Sequence, residues 1–450
     1  MVESKAGWKG KLRSFPAGGI HPREFKDYTH HIPIKNAPVP SVSVIPMHQH
    51  MGKPAQCIVK ADDVLKEGML IGKADGLFSA NVHSSVPGKV TEIRDIYLHN
   101  GIKSQAVVVE FEGEFDRSGK SREKKDWDGH SAKELLDKIQ EAGIVGLGGA
   151  TFPTHVKYFI REGLAADYFV LNGVECEPYL TSDHRLMLEK TREVLEGAAI
   201  VAKILNSKNV LIGIEENKPD AIEAMLKAVQ EQGLDFRVCP LKLKYPQGDE
   251  KQLLKALIGR EVPSGGLPID IGAVVTNVGT IYAIYEAIVL EKPLFERCVT
   301  VTGSIIKNPA NLKVRIGTKI RDLIEDCGGL TDTPGKLIVG GPMMGFGLAD
   351  IDLPVTKGVS GLIALSRKEA QVEQETSCLR CGQCVSACPF GLNPTRLYKL
   401  IDHKQYETAL AEGLMDCKEC GCCAYLCPAR IPLVQGLKLG KLLSRKKKVK

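Results

Sequence analysis

The sequence predicts a multidomain chain of α/β and α+β architecture, and three observations carry that prediction. Short β-branched runs broken by Pro and Gly fill residues 40–115, apolar strands alternate with helices from about 130 to 290, and nine of the 14 cysteines crowd between 378 and 427. Strand runs with turns argue for a small β-barrel or sandwich, and strand–helix alternation argues for a sheet covered on both faces. At about 150 residues per domain, the chain has room for two to four domains. We place a β-rich N-terminal domain at 1–125, an α/β domain at 126–296, a β-grasp-like domain at 297–365, a cysteine-rich helical domain at 366–440 and a basic tail at 441–450.

In the first domain the expected strands are Ser41–Pro46, Ala55–Lys60, Val86–Val90 and Ala106–Phe111. In the second, a helix over Ser131–Ala142 precedes a glycine-rich loop, and the short strand Tyr168–Leu171 ends in Asn172-Gly173. A helix over Leu186–Leu205, a strand over Val210–Ile214 and a helix over Asp220–Gln232 follow. Residues 297–350 return to β-rich text with one helix at Thr318–Cys327, and the charged stretch Arg367–Glu375 reads as a linker or a leading helix.

Composition excludes several classes. A hydrophobic fraction of 43% with 25% charged residues rules out a wholly disordered chain. No apolar run approaches the ~18 residues of a membrane helix. Met1–Phe15 carries lysines without an apolar stretch and reads as no signal peptide. A net charge of +6 does not call for nucleic acid. Fourteen cysteines in such a chain argue for metal or redox chemistry over a disulfide framework.

The strongest motif is doubled. Cys378-x2-Cys381-x2-Cys384-x3-Cys388-Pro389 is followed by Cys417-x2-Cys420-x2-Cys423-x3-Cys427-Pro428. This is the bacterial ferredoxin run, in which each copy gives three thiolates to one [4Fe–4S] cluster and the fourth to the other. The pattern assigns Cys378, Cys381, Cys384 and Cys427 to a first cluster, and Cys417, Cys420, Cys423 and Cys388 to a second, with helical text at Pro394–Leu414 between them. Paired zinc sites are the alternative, although zinc needs neither the third cysteine nor the proline. Cys422 is left over as a small packed residue.

Gly146, Gly148 and Gly149 lie in a loop running to Thr154, where backbone N–H groups could meet a phosphate. Taken alone, the loop is a weak pattern and reads sooner as a structural turn. Its companions are Lys157, the stretch Asn172–Pro178 after a strand, Tyr245–Glu250 and Thr276–Thr280. Polar residues at strand ends are where open α/β sheets bind ligands, while singly they read as turn formers and solvated carboxylates.

These stretches carry a resemblance. "GLGGATFPTHVK" and "NGVECEP" look like the flavin- and NADH-binding segments of the respiratory complex I flavoprotein subunit, and "TNVGT" resembles its third flavin-contacting stretch. Residues 52–93 resemble a barrel-sandwich hybrid of the lipoyl/biotinyl carrier type; without a modified-lysine hairpin they read as a docking or structural module. With the β-grasp, SLBB-like stretch 301–329 and the two-cluster end, nearly the whole chain is similar to the RnfC (RsxC) family, a peripheral component of the Rnf (Rsx) electron transport complexes.

The resemblance implies FMN, NAD(H) and two [4Fe–4S] clusters as cofactors. It sets Gly146, Gly148, Gly149 and Lys157 around the flavin phosphate and ring, Asn172 and Glu175 in the same pocket, and Thr276, Asn277 and Thr280 at the phosphate end. It also stacks Phe152 on the adenine of NADH and brings Glu177 and Glu250 to the dinucleotide. The chain departs from the complex I pattern at Leu147 and Val174. A flavin joins hydride transfer to one-electron steps, so electrons would pass between NADH, FMN, the clusters and a partner. Implied partners are a ferredoxin-accepting iron–sulfur subunit and integral membrane subunits, with peripheral attachment at the cytoplasmic face of the inner membrane, no nucleic acid and no ion-translocating residue in this chain. Two rivals keep part of this plan: a soluble cobalamin reductase of the propanediol-utilisation type, and a non-enzymatic iron–sulfur scaffold.

Lesser features have plainer readings. His48-x-His50 and His30-His31 read as polar turns, Cys176 as a packed side chain, and Cys57, Cys239, Cys298 and Cys327 as core. Leu433, Leu437 and Leu442 stand beside the basic end, which reads either as a solvated tail or as a segment drawn to anionic lipid by about 1 kcal/mol per charge.

Overall fold

The computed structural model describes residues 12–115 and 123–448, with side chains described as far as 445. The expectation for Met1–Phe15 therefore falls largely outside the described residues, as does that for the lysines ending the basic tail.

The N-terminal domain is two small antiparallel sheets closed over an apolar core. β2 (Val42–Pro46), β8 (Lys103–Phe111), β7 (Gly88–Tyr97) and β4 (Val64–Leu65) form one, and β3 (Gln56–Cys57), β5 (Leu70–Lys73) and β6 (Val82–His83) the other. Ile45, Leu65, Ile71, Val82, Val90, Val107 and Val109 fill the space between them. The preceding strand β1 (Ile34–Asn36) leaves this domain and pairs in parallel with Ala310–Arg315.

The α/β domain is built on four parallel strands, β9 (Tyr168–Gly173), β10 (Asn209–Glu215), β11 (Phe236–Leu241) and β12 (Ala273–Asn277), in the order β11-β10-β9-β12. Their near-continuous apolar text follows from burial on both faces. Helices α1 (Ala132–Glu141), α4 (Thr191–Leu205), α5 (Pro219–Glu231) and α7 (Val278–Val289) cover one face, and α6 (Glu250–Ile258) covers the other. A capping box starts α1: Glu134 N donates to Ser131 Oγ, and Ser131 N donates to Glu134 Oε2. The chain builds outward from β9 through β10 to β11, then returns to β12 on the far side of β9. The order therefore reverses between β9 and β12.

The helix expected over 186–205 is two helices, α3 (Ser182–Glu189) and α4, broken at Lys190, whose ψ of 32° leaves the helical region. The bend lets Leu186 and Met187 reach the same core as Val194, Leu195 and Ala198.

β13 (Glu296–Thr302), β14 (Ala310–Arg315), β15 (Pro334–Val339), β16 (Phe346–Gly347) and β17 (Gly361–Ser366) form a mixed sheet with β1, packed by α8 (Ile320–Asp326). Residues 367–375 then run as turn and coil, so the linker reading holds and the leading helix does not form.

The cysteine-rich domain holds α9 (Gln383–Ala387), α10 (Pro394–Asp402), α11 (Tyr406–Ala411), α12 (Cys422–Tyr425) and α13 (Leu433–Lys448). The helical text at Pro394–Leu414 is thus interrupted. Lys404 adopts φ 58°, and the N–H groups of Lys404 and Gln405 donate to Ile401 O and Leu400 O to close α10. The expected tail continues α13 as helix through Lys448. Among the described residues no helix is long and apolar enough to cross a membrane.

Candidate functional site

Open α/β sheets bind ligands beyond the strand C-termini where the order reverses. Here that point lies between Asn172, on β9, and Asn277, on β12. The glycine-rich loop reaches it from the side: Leu147 N donates to Thr280 Oγ1 at 2.8 Å, and Arg297 donates to the carbonyls of Leu147 and Lys357. Asn277 caps α7, its Oδ1 accepting from Thr280 N, while its Nδ2 donates to Asp183 Oδ2 at 2.6 Å. Glu175 accepts from the N–H groups of Asp183 and His184 at the start of α3. Burial, with Glu175 beside it, pushes the Asp183 carboxyl up to about 7.

Between these walls the loop backbone is open. A Cβ on Gly148 would stand 3.2 Å from Asn277 Cβ, and Gly149 adopts φ 111° facing free space. The amides of Gly148, Gly149 and Ala150 make no hydrogen bond to the described residues. Exposed N–H groups beside a helix N-terminus suit a phosphate. The hydroxyls of Thr276 and Thr280 are engaged internally, Thr276 with Tyr158 OH at 2.9 Å.

Lys157 pairs with Glu250 at 3.1 Å, and although burial opposes it, the ammonium keeps this carboxyl below its ordinary range. Asn172 Nδ2 donates to Gly248 O at 2.9 Å. Gly248 N donates to Cys176 Sγ at 3.4 Å, which accounts for Cys176 as a packed thiol. Glu177 accepts from Met343 N at 3.0 Å, facing the small β domain and Tyr245, and burial pushes its carboxyl up to about 7. Leu147 and Val174, the two departures, are both buried; the Val174 carbonyl accepts from the buried Lys218.

Cys388, Cys417, Cys420 and Cys423 line one cavity with Phe390, Leu397 and Leu437. Cys384 and Cys427 share an apolar cluster with Cys378 against it, and Cys381 is exposed. Among the described residues no three His, Cys, Asp or Glu side chains converge on one ion. Cys422 lines the same cavity beside these four; a cubane takes thiolates at its corners, so cysteines spread around a cavity suit an iron–sulfur cluster better than zinc.

This cavity abuts the α/β domain. Tyr245 OH donates to Cys420 O at 2.8 Å, and Gln252 Nε2 donates to Pro389 O at 3.0 Å. A strap from the N-terminal segment runs between the two: Gly19 N donates to Ala387 O, Ile20 bridges Tyr245, and a Cβ on Gly18 would lie 2.6 Å from the Cys388 carbonyl. Lys26, further along the strap, donates to the carbonyls of Glu175, Glu177 and Leu180. Sequence reasoning missed Lys26, Asp183, Arg297 and the strap, because their roles are backbone and buried-ion contacts between distant segments. His50, by contrast, sits buried on Lys53 O and Ser79 as an internal turn residue.

The fold and site define a class: a flavin-domain protein with an attached iron–sulfur domain, built for electron transfer. Residues 139–286 match the Nuo51 FMN-binding domain family, 14–114 the RnfC barrel sandwich hybrid domain, 298–347 the SLBB domain and 370–428 the 4Fe-4S dicluster domain. The chain is 48% identical to a subunit of the proton-translocating ferredoxin:NAD(+) oxidoreductase complex of Clostridium ljungdahlii, over 90% of this chain and 88% of that one. It is 42% identical to the corresponding subunit of the Na(+)-translocating ferredoxin:NAD(+) oxidoreductase complex of Acetobacterium woodii, over 94% and 96%. An NAD+-reducing [NiFe]-hydrogenase in the H2-reduced state shares the fold, with a TM-score of 0.51 at 17% identity over 70% of this chain and 61% of that one. The chain belongs to the RnfC family of ion-translocating ferredoxin:NAD+ oxidoreductase (Rnf) complex subunits.

Proposed function

We propose that this chain carries electrons between NAD(H) and the rest of an ion-translocating complex, through FMN and two [4Fe–4S] clusters. The amides of Gly148–Ala150 and the first turn of α7 would hold the phosphate of an FMN in the switch-point crevice. Gly146, Lys157, Asn172, Glu175, Thr276, Asn277 and Thr280 shape that crevice, and Phe152, Glu177 and Glu250 attend the dinucleotide. Cys388, Cys417, Cys420 and Cys423 hold the cluster next to the flavin domain. Cys378, Cys381, Cys384 and Cys427 would hold the outer one, on the side open to a partner.

The observation that carries this reading is the continuity from crevice to cysteines. Asn172 holds Gly248, and three residues earlier in the same loop Tyr245 holds Cys420. The bound flavin would supply the exchange between two-electron and one-electron chemistry. The chain's own part is to hold the crevice, the loop and the cysteine cavity in one frame. The names of the relatives support partners of the same complex, which we take to be a ferredoxin-accepting iron–sulfur subunit and integral membrane subunits, met at the cytoplasmic face of the inner membrane.

The test is flavin and iron content of anaerobically purified protein, followed by NADH addition under a spectrophotometer. About one FMN and about eight irons, with flavin bleaching before the clusters, is the expected result. A full iron complement without flavin or any NADH response would return the chain to the scaffold class.

A further inference from the structure

The barrel domain is stitched onto the glycine-rich loop by its own two loops, 48–53 and 74–80. Met51 N donates to Thr151 O at 3.1 Å, and Lys53 N donates to Phe78 O at 2.9 Å. His155 Nε2, on α2 (Thr154–Tyr158), lies 3.2 Å from Leu77 O, and the Lys53 ammonium pairs with Asp75 at 2.6 Å. These ties hold the Phe78 ring edge-on to Phe152, with centroids 6.0 Å apart and planes 65° from parallel. Yet Phe78 is 51% exposed, with Leu77 at 61% and Met51 at 54% beside it. A phenylalanine fixed through its backbone and left half in water is available to something other than the core.

We propose that Phe78 of the barrel domain and Phe152 of the glycine-rich loop together clip the purine base of NAD(H), so that the dinucleotide site is shared between two domains. The inference rests on the NAD(H) reading above. Aromatic faces take flat bases by stacking, and a base lying on one of these two rings meets the edge of the other. Three exposed apolar side chains are too few for a stable protein interface, which needs about 800 Å² per partner, but they match a single base. The barrel domain thereby gains a role in substrate recognition that its lack of a modified-lysine hairpin had left open.

The test uses the full chain, purified anaerobically with flavin and clusters in place. Binding of ADP-ribose, NADH and reduced nicotinamide mononucleotide is measured by calorimetry for the wild type, Phe78→Ala and Phe78→Tyr. The expected result is a Kd for ADP-ribose and NADH about tenfold higher in Phe78→Ala, with the mononucleotide, which lacks the purine, unchanged. Phe78→Tyr should restore wild-type affinity, and FMN content should not move in either variant. Unchanged NADH affinity in Phe78→Ala would overturn the clip alone, and so would an equal loss for the mononucleotide. A wild type that binds neither ADP-ribose nor NADH would overturn the NAD(H) reading and the clip with it.

Discussion

The phenolic hydroxyl of Tyr245 donates to the carbonyl oxygen of Cys420 at 2.8 Å and stands 3.4 Å from Glu177 Oε1. One side chain thereby joins three domains: the flavin domain, the cysteine cavity and, through Glu177 on Met343 N, the small β domain. A Glu177 carboxyl held near neutrality can itself donate to the phenol oxygen, completing the chain of hydrogen bonds.

Tyr245→Phe removes that link without opening a hole. The lost hydrogen bond should lower stability by about 1 kcal/mol, with flavin and iron contents unchanged. In stopped-flow mixing with NADH, flavin bleaching should keep its rate while cluster bleaching slows. Equal cluster rates in wild type and variant would remove Tyr245 from the route between the two cofactors.

The order of the clusters is open to a paired substitution. Cys420→Ser and Cys381→Ser should each cost about half of the iron. Because the Cys420 cavity abuts the flavin domain and Cys381 is exposed, the effects on electron flow should differ. Cys381→Ser should keep the inner cluster reducible by NADH and lose transfer to the partner. Cys420→Ser should strand the outer cluster, leaving only flavin bleaching. Low-temperature EPR after NADH addition reads both; an inner cluster that no longer reduces in Cys381→Ser would reverse the order.

Gly148→Val places two methyls where even a Cβ stands 3.2 Å from Asn277. The loop must move or Asn277 must leave its cap, and either change closes the approach to the Gly148–Ala150 amides. FMN content should fall at least severalfold while iron content stays at about eight atoms per chain. Full flavin occupancy in this variant would take the loop out of the site.

The segments that meet at the switch point were legible because each joins a period change to glycine or a polar cap: Gly146–Gly149 after α1, Asn172 at the end of β9, Asn277 before α7. The cysteine runs were legible by spacing alone. The break at Lys404 was hidden because a lysine, with neither glycine nor proline nearby, takes the left-handed turn. The split at Lys190 was hidden because the apolar pattern runs through it. Lys26, Lys218 and Lys357 are not singled out by the sequence, and each is buried and donates to backbone carbonyls of another segment. No local pattern announces such a partner, and the strap that passes Cys388 is irregular chain, with Gly18 and Gly19 both at positive φ and no period to detect.

Lys357 gives a test by pH. Its side chain is wholly buried, Nζ donating to Asn81 O at 2.7 Å and Gly143 O at 2.8 Å, which ties the barrel to the flavin domain. Burial pulls its pKa down to about 7, whereas an unfolded lysine stays protonated to about 10.4. Between those values the unfolded chain binds the extra proton, so stability rises with pH across that window. This residue's contribution is fully present above the unfolded value and is lost by the time pH has fallen through the folded one. Lys357→Met leaves two carbonyls without their donor, at about 1–3 kcal/mol, and abolishes the titration. In urea unfolding the variant should be less stable than wild type at pH 9, and the gap should narrow at pH 6, where the wild type must bury an ammonium. A gap that stays constant, or widens at pH 6, would show that Lys357 titrates as an ordinary lysine.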